Sequence, residues 1–473
     1  MIRFLSGFAI AGILLGSLPS VAFAQNVQAP DVLVIGGTPA GVAAAVAAGR
    51  RGLHVELDVA GDVLGGVVSD GMMDQWDRNT GPAGETIERG IFAELLARLG
   101  DAFAPERAEA VLSDVIASTP NVDVHYGRIP LDALVEPTSS GRFVTRIDFR
   151  TRKGNRASVA PFVVDATDDG DVAALAGARY DVGRGDMGHD SAMQAATLMF
   201  SLRGVDTHAL ANGYDPRRFG PGGAVGARVW GFSSTLRDYR STDPRVMVRD
   251  LNLGISPDGE VTVNAIDVFG TDGLDPRSTA TGTALAKAEA PHLLAFLRGR
   301  VPGFENAEIA RFARALYVRE TRHILGMAYL TSADVLRGNL PADTIGLSSY
   351  PLDLHPVSAG DKFDYPPLRH VYGVPLGALI PSGFTNLLVA SRAISASHAA
   401  AGSARIVPTT IEEGEAAGAA CALALRERTT FPQLDRSASL LAGLRSDLAQ
   451  RGAVIDLPAP LAQSSRTLAR AAR

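Results

Sequence analysis

The first strong pattern in the chain is a short apolar run that stops at a glycine. Residues 32–35 read Val-Leu-Val-Ile, Gly36 follows, and an alanine-rich segment begins soon after it. The run is typical of a strand buried on both faces, and residues 39–50 predict a buried helix with proline in its first turn. A strand, a glycine turn and a helix in this order direct helix N–H groups at an anion, usually a phosphate. Because Thr38 stands where the G-x-G-x-x-G fingerprint has its middle glycine, a plain strand–helix turn is the alternative.

Further along the chain, similar patterns predict alternating strands and helices. They predict strands at 53–59, 122–126, 142–150 and 162–167, and helices at 88–99, 105–117 and 409–425. A second glycine-rich loop covers residues 61–71. Arg319, Arg322 and His323 have the i, i+3, i+4 spacing of one helix face. Residues 432–473 predict an amphipathic helix followed by a basic tail.

A change in composition near residue 200 indicates a second unit of structure. Residues from about 200 to 370 contain most of the prolines outside the termini, whereas strand-like patterning returns at 386–392. We therefore expect an α/β fold in which a Rossmann-like domain with a mostly parallel, three-layer sheet is split by an inserted α+β substrate domain. The predicted parts are 31–200 and 371–430 for the split domain, 201–370 for the insert, and 431–473 for a C-terminal helix and tail.

Composition and charge exclude several classes of protein. The chain has 473 residues, of which 46% are hydrophobic, so it can bury one large core or form two domains. A net charge of −6 argues against a general nucleic-acid binder. Cys421 is the only cysteine, which excludes an internal disulfide and a cysteine-cluster metal site. No spacing of His, Asp or Glu suggests a metal, and no G-x-S-x-G motif suggests serine hydrolysis.

The N-terminus has the pattern of a secretory signal peptide. Arg3 precedes an uncharged apolar run that continues through Phe23 and ends in Ala-Phe-Ala before Gln25. This pattern predicts cleavage after Ala24, so that residues 1–24 are removed and the mature protein is periplasmic or secreted. The alternative is an uncleaved anchor, because the run is nearly long enough to span a membrane. Since no other segment is apolar enough to cross one, we expect no stable membrane span after cleavage.

Four separated groups of motifs follow one another along the chain. They are Gly-Gly-Thr-Pro-Ala-Gly (36–41) with Leu-Gly-Gly (64–66); Asp-Ala-Thr-Asp-Asp-Gly-Asp (165–171) with 173–177; Tyr-Val-Arg-Glu-Thr-Arg-His-Ile (317–324) with 350–355; and Asn-Leu-Leu-Val-Ala-Ser-Arg (386–392) with 394–398, 402–405 and 408–410. On these motifs, which are spread over most of residues 31–425, the chain resembles the FAD-dependent oxidoreductase family, whose members have a split flavin domain of the glutathione-reductase type.

The resemblance implies FAD as the cofactor and assigns residues to it. The pyrophosphate would lie on the turn at 36–41, and residues 64–66 would lie beside the ribityl chain and the ring. The helix that begins near Pro408 would direct its positive end at the flavin, with an ordinary buried helix as the alternative. Asp171 would bind the ribityl chain or only cap its own helix. The predicted cofactor-binding residues are Gly36, Gly37, Thr38, Pro39, Ala40, Gly41, Asp58, Leu64, Gly65, Gly66, Asp165, Ala166, Thr167, Asp171, Ser391, Arg392, Arg405 and Thr409.

The chain departs from the family pattern at several positions near the cofactor. Val59 stands where the second strand usually ends in glutamate, and Asp58 is one residue out of phase for the ribose contact. Asp168 and Ser391 stand where glycine is usual. Thr38 replaces the middle glycine of the fingerprint, a form that similar family members also show, and we expect Thr38→Gly to bind FAD at least as well as the parent.

The candidate catalytic residues lie in the third and fourth motif groups. Hydride removal by a flavin requires a base for the substrate's hydroxyl or amine proton, and cations for any carboxylate. The predicted catalytic residues are His398, His355, Arg322 and Tyr350. The alternatives are a structural role for each histidine and a solvated charged face for the arginine. Four residues after the second glycine loop are expected to line the pocket: Asp70, Asp74, Trp76 and Asp77.

Together these features predict an exported FAD-dependent oxidoreductase that oxidises or reduces a small organic substrate by hydride transfer at the flavin. The electron acceptor stays open between oxygen, a quinone and a partner protein, and no second fingerprint for a nicotinamide is visible. Two other classes also stay open, since one fold hosts many chemistries. One is a non-catalytic binding protein on a flavoprotein scaffold, and the other is a lyase-like or hydrolytic enzyme.

Overall fold

The structure is a computed structural model that describes residues 29–188, 190–361, 367–368 and 370–457. The predicted signal peptide (1–24) and residues 458–473 of the predicted tail lie outside the described residues. The strands are β1 (Val32–Ile35), β2 (Val55–Val59), β3 (Val122–Tyr126), β4 (Ile129–Thr138), β5 (Gly141–Thr151), β6 (Gly154–Ser158), β7 (Phe162–Asp165), β8 (Tyr180–Val182), β9 (Ala196–Thr197), β10 (Phe200–Arg203), β11 (Gly223–Val225), β12 (Arg228–Gly231), β13 (Val246–Met247), β14 (Leu251–Ile255), β15 (Val261–Asn264), β16 (Asp267–Val268), β17 (Glu308–Phe312), β18 (Arg322–Ile324), β19 (Thr344–Ser348), β20 (Tyr372–Pro375) and β21 (Leu387–Val389). The helices are α1 (Pro39–Gly49), α2 (Ile91–Leu99), α3 (Pro105–Ala117), α4 (Asp171–Leu175), α5 (Thr207–Asn212), α6 (Pro216–Phe219), α7 (Ser233–Leu236), α8 (Pro276–Leu297), α9 (Ser332–Arg337), α10 (His398–Ala404), α11 (Val407–Glu427), α12 (Phe431–Arg436) and α13 (Ala438–Gln450). Within the described residues, no helix is long and apolar enough to cross a membrane.

A five-stranded parallel sheet forms the centre of the fold, in the order β21-β7-β1-β2-β3. Strands β1 and β21 are wholly apolar and buried, because both faces of the sheet are covered there, whereas the edge strand β3 is partly exposed. In register, Ile35 at the end of β1 lies beside Asp58 of β2 and Asp165 of β7, and Val389 of β21 also lies beside Asp165. The carboxyl ends of these strands therefore meet at one edge, which is where parallel α/β sheets bind ligands.

The helix layer on one side of the sheet is built around α1, which is buried along its whole length. A helix that is apolar all round needs partners on every side, and α11 packs closely along it. Gly414 and Gly418 make this approach possible. A Cβ on Gly414 would lie 2.1 Å from the carbonyl oxygen of Ala40, and one on Gly418 would lie 2.3 Å from that of Ala44. Helices α2 and α3 complete the layer.

The opposite face of the parallel sheet is covered by the antiparallel β4-β5-β6 sheet and by α4. Ile147 and Phe149 of β5 and Val172 of α4 pack in one core with Leu33 and Val163. The parallel sheet thus lies between two covering layers. The predicted Rossmann-like, three-layer α/β fold is confirmed.

A second sheet is antiparallel and has six strands, in the order β11-β12-β14-β15-β10-β17. These strands come from residues 200–312, and the 22-residue helix α8 packs beside them against β16 and β17. An antiparallel sheet with a helix beside it has the α+β character predicted for the insert. The unit is inserted in the sequence, because the parallel sheet takes strands from before and after it. The numerical domain boundaries stay a prediction.

Two predicted elements are wrong. Arg322 and His323 do not lie on a helix with Arg319, because they belong to β18, which pairs antiparallel with β8. Side chains at i, i+3 and i+4 stabilise a helix only weakly, so hydrogen bonding to a strand far away in the sequence determined the conformation here. The C-terminal segment forms two helices rather than one, because α12 ends at Ser437 and the side chain of this serine accepts the Leu440 N–H at the start of α13.

Candidate functional site

A cleft of about 690 Å³ opens at the carboxyl edge of the parallel sheet, and we call it the glycine-rich cleft. It is lined by the turn after β1, the end of β2, the second glycine loop and the acidic turn after β7. The backbone N–H groups of Gly37 and Thr38 bond to no acceptor from the described residues. They lie at the positive end of α1, so they are available to an anion in the cleft.

Gly36 and Gly41 are required by the geometry of the first turn. Gly36 has a φ of +123°, and a Cβ there would lie 2.2 Å from the carbonyl oxygen of Ala166. A Cβ on Gly41 would lie 1.9 Å from the carbonyl oxygen of Gly36. A side chain at either position would therefore push α1 away from β1 or β7. Pro39 and Ala40, which form the first turn of α1, are both buried.

Thr38, which stands at the position of the middle glycine of the fingerprint, caps the N-terminus of α1. Its Oγ1 accepts the Gly41 N–H at 3.1 Å and donates to the carbonyl oxygen of Ala166 at 2.9 Å. Threonine is a favoured N-cap, since its hydroxyl satisfies one of the free N–H groups of the first turn. Both bonds turn the hydroxyl toward the protein, and the residue is buried.

The second glycine loop is tied directly to the first turn. The N–H of Gly65 donates to the carbonyl oxygen of Gly37 at 2.6 Å. Gly65 and Gly66 have φ values of +111° and +49°, which favour glycine, and Gly66 lines the cleft above the buried Leu64. The structure therefore brings the predicted residues 64–66 against the predicted anion-binding turn.

The acidic turn after β7 uses its carboxylates in different ways. Asp165 is buried and accepts hydrogen bonds from the N–H and hydroxyl of Thr167 and from the N–H of Ala173. Burial raises the pKa of Asp165 to about 7. Asp171 and Thr167 line the glycine-rich cleft, and Asp171 pairs with Arg322 at 2.8 Å. Asp165 therefore shapes the turn, whereas Asp171 faces the cleft.

The turn after β21 is joined to the acidic turn that lines the cleft. Arg392 pairs with Asp168 at 3.3 Å and with Asp169 at 2.6 Å, which joins this turn to the acidic one. Ser391 accepts the N–H of Ala393 and lines a small space between the turn and the start of α11. Thr409, one turn into α11, is fully buried. The predicted residues of the fourth motif group thus lie beside those of the first.

Asp58 lies away from the cleft. Its buried carboxylate pairs with Arg128 at 2.8 Å, whereas the next residue, Val59, lines the cleft and lies against Gly37. Successive side chains of a strand point to opposite faces, so Asp58 and Val59 cannot both reach the cleft. This geometry gives no support to the ribose contact predicted for Asp58.

A second cavity, of about 470 Å³, shares no lining residue with the glycine-rich cleft, and we call it the polar cavity. Tyr317, Arg319 and Arg405 line both the polar cavity and the small space at Ser391, so they form a wall between these two spaces. The small space adjoins the glycine-rich cleft, because Thr38 and Asp168 line both. The charged residues that line the polar cavity are Asp77, Arg228, Arg249, Asp250, Asp267, Arg319, Asp353, His355 and Arg405.

His355 is held in a network of charges in the polar cavity. Its Nδ1 lies 3.1 Å from both carboxylate oxygens of Asp267, and its Nε2 lies 3.6 Å from Oδ2 of Asp353. Burial would raise the pKa of Asp267, but the charges of His355 and Arg319 outweigh it and hold this pKa well below its usual range. Asp353 has its pKa lowered in the same way, with Arg405 as a further partner. Both aspartates therefore stay ionised and can orient the imidazole.

Tyr317 contacts two buried arginines. The guanidinium carbon of Arg319 is 4.6 Å from the centroid of the tyrosine ring, and that of Arg405 is 5.9 Å from it. Arg405 also donates to the Tyr317 hydroxyl and pairs with Asp353 at 3.1 Å. Arg405, which the sequence assigned to the cofactor, therefore lines the polar cavity and the small space at Ser391 and does not line the glycine-rich cleft.

The structure separates the four predicted catalytic residues. His355 and Tyr350 line the polar cavity, whereas Arg322 lines the glycine-rich cleft. Burial raises the pKa of Tyr350 well above its usual value, so its hydroxyl stays protonated. His398 lines neither site: it is 2% exposed, and its Nδ1 lies 2.6 Å from Oε1 of Glu320.

His398 belongs to a buried cluster with Glu320 and His323. Oε1 of Glu320 also lies 2.8 Å from Nε2 of His323, and Oε2 accepts the N–H of Gln194. Burial would raise the pKa of Glu320, but the hydrogen bonds from the two histidines outweigh it and lower the pKa to about 2. The cluster ties α10 to β18 and has a structural role.

The residues after the second glycine loop are also divided. Asp77 lines the polar cavity and Asp70 lines the glycine-rich cleft, while Asp74 and Trp76 are buried. Burial and the charge of Asp353 raise the pKa of Asp77 to about 6.

Sequence reasoning missed the partners of His355. Asp353 stands two residues before this histidine in the third motif group, so that motif could have indicated it. Asp267 comes from β16 and Arg249 from the segment before β14, where no motif marks them.

Comparison with known proteins gives a match to one family. The family model described as FAD dependent oxidoreductase matches residues 31–448. None of the curated proteins matches the chain.

Several solved structures are similar in fold. The p-nitrophenol 4-monooxygenase PnpA from Pseudomonas putida DLL-E4 is 12% identical, with a TM-score of 0.43 over 94% of this chain and 94% of that one. A geranylgeranyl bacteriochlorophyll reductase-like protein from Thermoplasma acidophilum is 12% identical, with a TM-score of 0.41 over 93% and 87%. The myxobacterial chondrochloren halogenase CndH is 12% identical, with a TM-score of 0.44 over 94% and 90%.

The residues of the glycine-rich cleft fit the nucleotide part of FAD. Gly36, Gly37 and Gly41 leave main chain rather than side chains at the start of α1, and the N–H groups of Gly37 and Thr38 remain for a pyrophosphate. Asp171 supplies a carboxylate on the other side of the cleft, which suits the hydroxyls of a ribityl chain, whereas the Thr167 hydroxyl donates to Asp165 and accepts the Asp171 N–H.

Proposed function

The chain belongs to the FAD-dependent oxidoreductase family, and we propose that it oxidises a small polar organic substrate by hydride transfer at the flavin. The enzyme's cofactor is FAD. The observation that carries the proposal is the polar cavity, in which His355 is held by Asp267 and which the wall separates from the small space adjoining the glycine-rich cleft. Oxidation of an alcohol or amine removes a proton as well as a hydride, and histidine is the residue that most often accepts such a proton.

His355 is the proposed base. When bound, FAD supplies the acceptor for the two electrons of the hydride. The substrate's hydroxyl proton passes to Nε2 of His355, because Nδ1 is committed to Asp267. Asp267 keeps the ring in this orientation and stabilises the imidazolium that forms. In the reverse reduction, the same Nε2 returns the proton to the carbonyl oxygen.

The wall formed by Tyr317, Arg319 and Arg405 positions the substrate. Arg319 lies over the ring of Tyr317, Arg405 donates to its hydroxyl, and Arg405 is itself held by Asp353. A rigid, charged wall of this kind orients a polar substrate before reaction, which lowers the entropic part of the barrier. Tyr350 is proposed to donate a hydrogen bond to the substrate oxygen, because its hydroxyl stays protonated.

An absorption spectrum followed by anaerobic titration tests the proposal. The purified protein is expected to show a flavin band, and one member of a panel of hydroxy acids, sugars and amines is expected to bleach it without oxygen. A flavin that no member of such a panel reduces would contradict substrate oxidation. A protein that neither contains nor binds FAD would contradict the assignment of the cleft.

We also propose that the enzyme is exported to the periplasm or secreted. The support is the run from Arg3 to Phe23 and the Ala-Phe-Ala segment that ends at Ala24. A chain exported through the general secretory (Sec) route crosses the membrane unfolded, so FAD would bind after export.

A further inference from the structure

We propose that the substrate of the polar cavity is a sugar acid, that is, a polyhydroxylated ring that carries a carboxylate. The inference rests on the oxidation proposed above and adds the chemical class of its substrate. The supporting observations are side chains on one face of the six-stranded antiparallel sheet, which have no role in the mechanism proposed above.

Three side chains stand opposite one another on three neighbouring strands. Trp230 of β12 pairs with Asn252 of β14, which pairs with Asn264 of β15, and all three line the polar cavity. Side chains that are paired across strands project from the same face of the sheet, so an indole ring and two amides form one row. Gln75 donates its amide to Oδ1 of Asn252 at 2.7 Å. This bond leaves the NH₂ group of Asn252 and the amide oxygen of Gln75 for ligand hydroxyls.

The indole ring has the position of a stacking platform. Gly223 of β11 lies directly across from Trp230, and a Cβ there would come within 3.0 Å of a ring carbon. The glycine therefore lets one side of the ring lie against the neighbouring strand. Trp230 is nevertheless 38% exposed. The negative face of an aromatic ring attracts polarised C–H groups, which a sugar ring presents on one side while its hydroxyls point outward.

Arg228 supplies a cation on the same face of the sheet, one cross-strand position away from the row. It stands two residues before Trp230 on β12, so both side chains project from one face. Arg249, Arg319 and Arg405 each have an aspartate within 4 Å, whereas no carboxylate of the described residues lies that close to Arg228. Its Nη1 donates to the carbonyl oxygen of Trp76. The remaining donors form a planar fork that matches a carboxylate.

The row and Arg228 together discriminate against apolar substrates. An aromatic or aliphatic alcohol would leave the amides of Asn252 and Asn264 and the Arg228 guanidinium desolvated and without partners. A site built to hydrogen-bond a ligand rejects an analogue that lacks those groups strongly, by orders of magnitude in kcat/KM.

The test uses the FAD-loaded enzyme, with binding and reduction measured separately. The ligands are glucuronate and galacturonate, the matched neutral sugars glucose and galactose, and benzyl alcohol. Binding is measured by calorimetry, and reduction is measured by anaerobic bleaching of the flavin. We expect the uronates to bind roughly tenfold or more tightly than the neutral sugars, since a charged hydrogen-bonded pair is gained, and benzyl alcohol to bind most weakly.

Variants then assign the contacts. Arg228→Gln is expected to weaken uronate binding about tenfold and to leave the neutral sugars unchanged, whereas Trp230→Ala weakens both classes. Arg237→Gln, at an exposed arginine that does not line the cavity, is the control and should change neither.

The outcomes separate this inference from the proposed oxidation. Uronates that bind through Arg228 without bleaching the flavin support the ligand class and contradict the oxidation. Flavin bleaching by benzyl alcohol or a neutral sugar, with uronates bound no more tightly, supports the oxidation and overturns the sugar-acid inference. Uronate binding that Arg228→Gln leaves unchanged also overturns it.

Discussion

Nδ1 of His355 lies 3.1 Å from Oδ1 and 3.1 Å from Oδ2 of Asp267, so one ring nitrogen is shared between both oxygens of one carboxylate. The pair joins β16 to the segment after Tyr350, across 88 residues of sequence. Because Asp267 stays ionised, it favours hydrogen on Nδ1, so the neutral form of His355 carries its lone pair on Nε2, and this is the form that accepts a substrate proton.

Loss of the imidazole should slow flavin reduction without loss of FAD. His355→Gln is expected to reduce the anaerobic bleaching rate by about 10²- to 10⁴-fold, which is the usual contribution of a general base. Asp267→Asn should have a smaller effect, because the base remains but its orientation is lost. Stopped-flow absorbance measures both, and His292→Gln on the exposed face of α8 is the control. Bleaching at the parent rate in His355→Gln would remove this residue from the mechanism.

The first turn should tolerate no side chain at Gly41. Gly41→Ala is expected to weaken FAD binding by roughly tenfold or more, because the Cβ would lie 1.9 Å from the carbonyl oxygen of Gly36 and displace α1. Gly61→Ala is the matched control: Gly61 lines the same cleft, and a Cβ on it would have no atom within 4 Å. Flavin content and the Kd for FAD measure both variants. Equal binding by the two would show that the pyrophosphate lies elsewhere.

Thr38 should matter more for the helix than for the cofactor. Thr38→Gly is expected to keep FAD affinity, as the sequence predicts, but to lower the thermal midpoint. The reason is that it removes the cap on Gly41 N–H and the bond to Ala166, worth about 1 kcal/mol in total. Thr38→Ser retains both bonds and serves as the control. If Thr38→Gly loses FAD while Thr38→Ser keeps it, the hydroxyl itself takes part in binding.

Glu320 should give the protein an acid-sensitive part of its stability. Its pKa of about 2 in the folded chain is below the ordinary value of 4.5, so the stabilisation is complete above the ordinary value and is lost as the pH falls toward 2. The shift corresponds to a contribution on the order of 3 kcal/mol at neutral pH. Glu320→Gln should therefore lower the thermal midpoint most at pH 7 and progressively less below pH 4.5.

The control for that measurement is Glu308→Gln, because Glu308 pairs with Arg203 at the exposed surface. Surface pairs contribute little, so this variant should follow the parent at every pH. A gap between Glu320→Gln and the parent that stays constant from pH 7 to pH 3 would contradict the linkage to ionisation of Glu320.

Processing of the N-terminus can be measured directly. Mass spectrometry of the protein from a periplasmic fraction is expected to give a chain that begins at Gln25. Ala24→Arg should block cleavage, because the peptidase site requires a small residue there, and residues 1–24 should then remain. A parent protein that retains these residues would favour the uncleaved anchor.

The cofactor side of the site could be predicted from local sequence because its demands are local. The positive φ of Gly36 and the contact between Gly41 and the Gly36 carbonyl arise within six residues, and glycine is what such positions require. The apolar run of β1 and the all-apolar α1 likewise indicate burial on every side. The sequence also showed that Asp58 is one residue before the position of the usual glutamate. Side chains alternate between the two faces of a strand, so Val59 reaches the cleft and Asp58 does not.

The substrate side was decided by tertiary structure. Nothing near His398 in the sequence distinguishes it from His355, yet Glu320 buries the first in a structural cluster while Asp267 holds the second in the polar cavity. The row formed by Trp230 and its paired asparagines exists only because strands separated by loops lie side by side in register. The sequence by itself determined the Rossmann-like turn, its cofactor and the family, because these depend on backbone conformation and on burial along single elements. Which charges meet in the polar cavity depends on contacts between distant segments, and only the packing of the two sheets decided it.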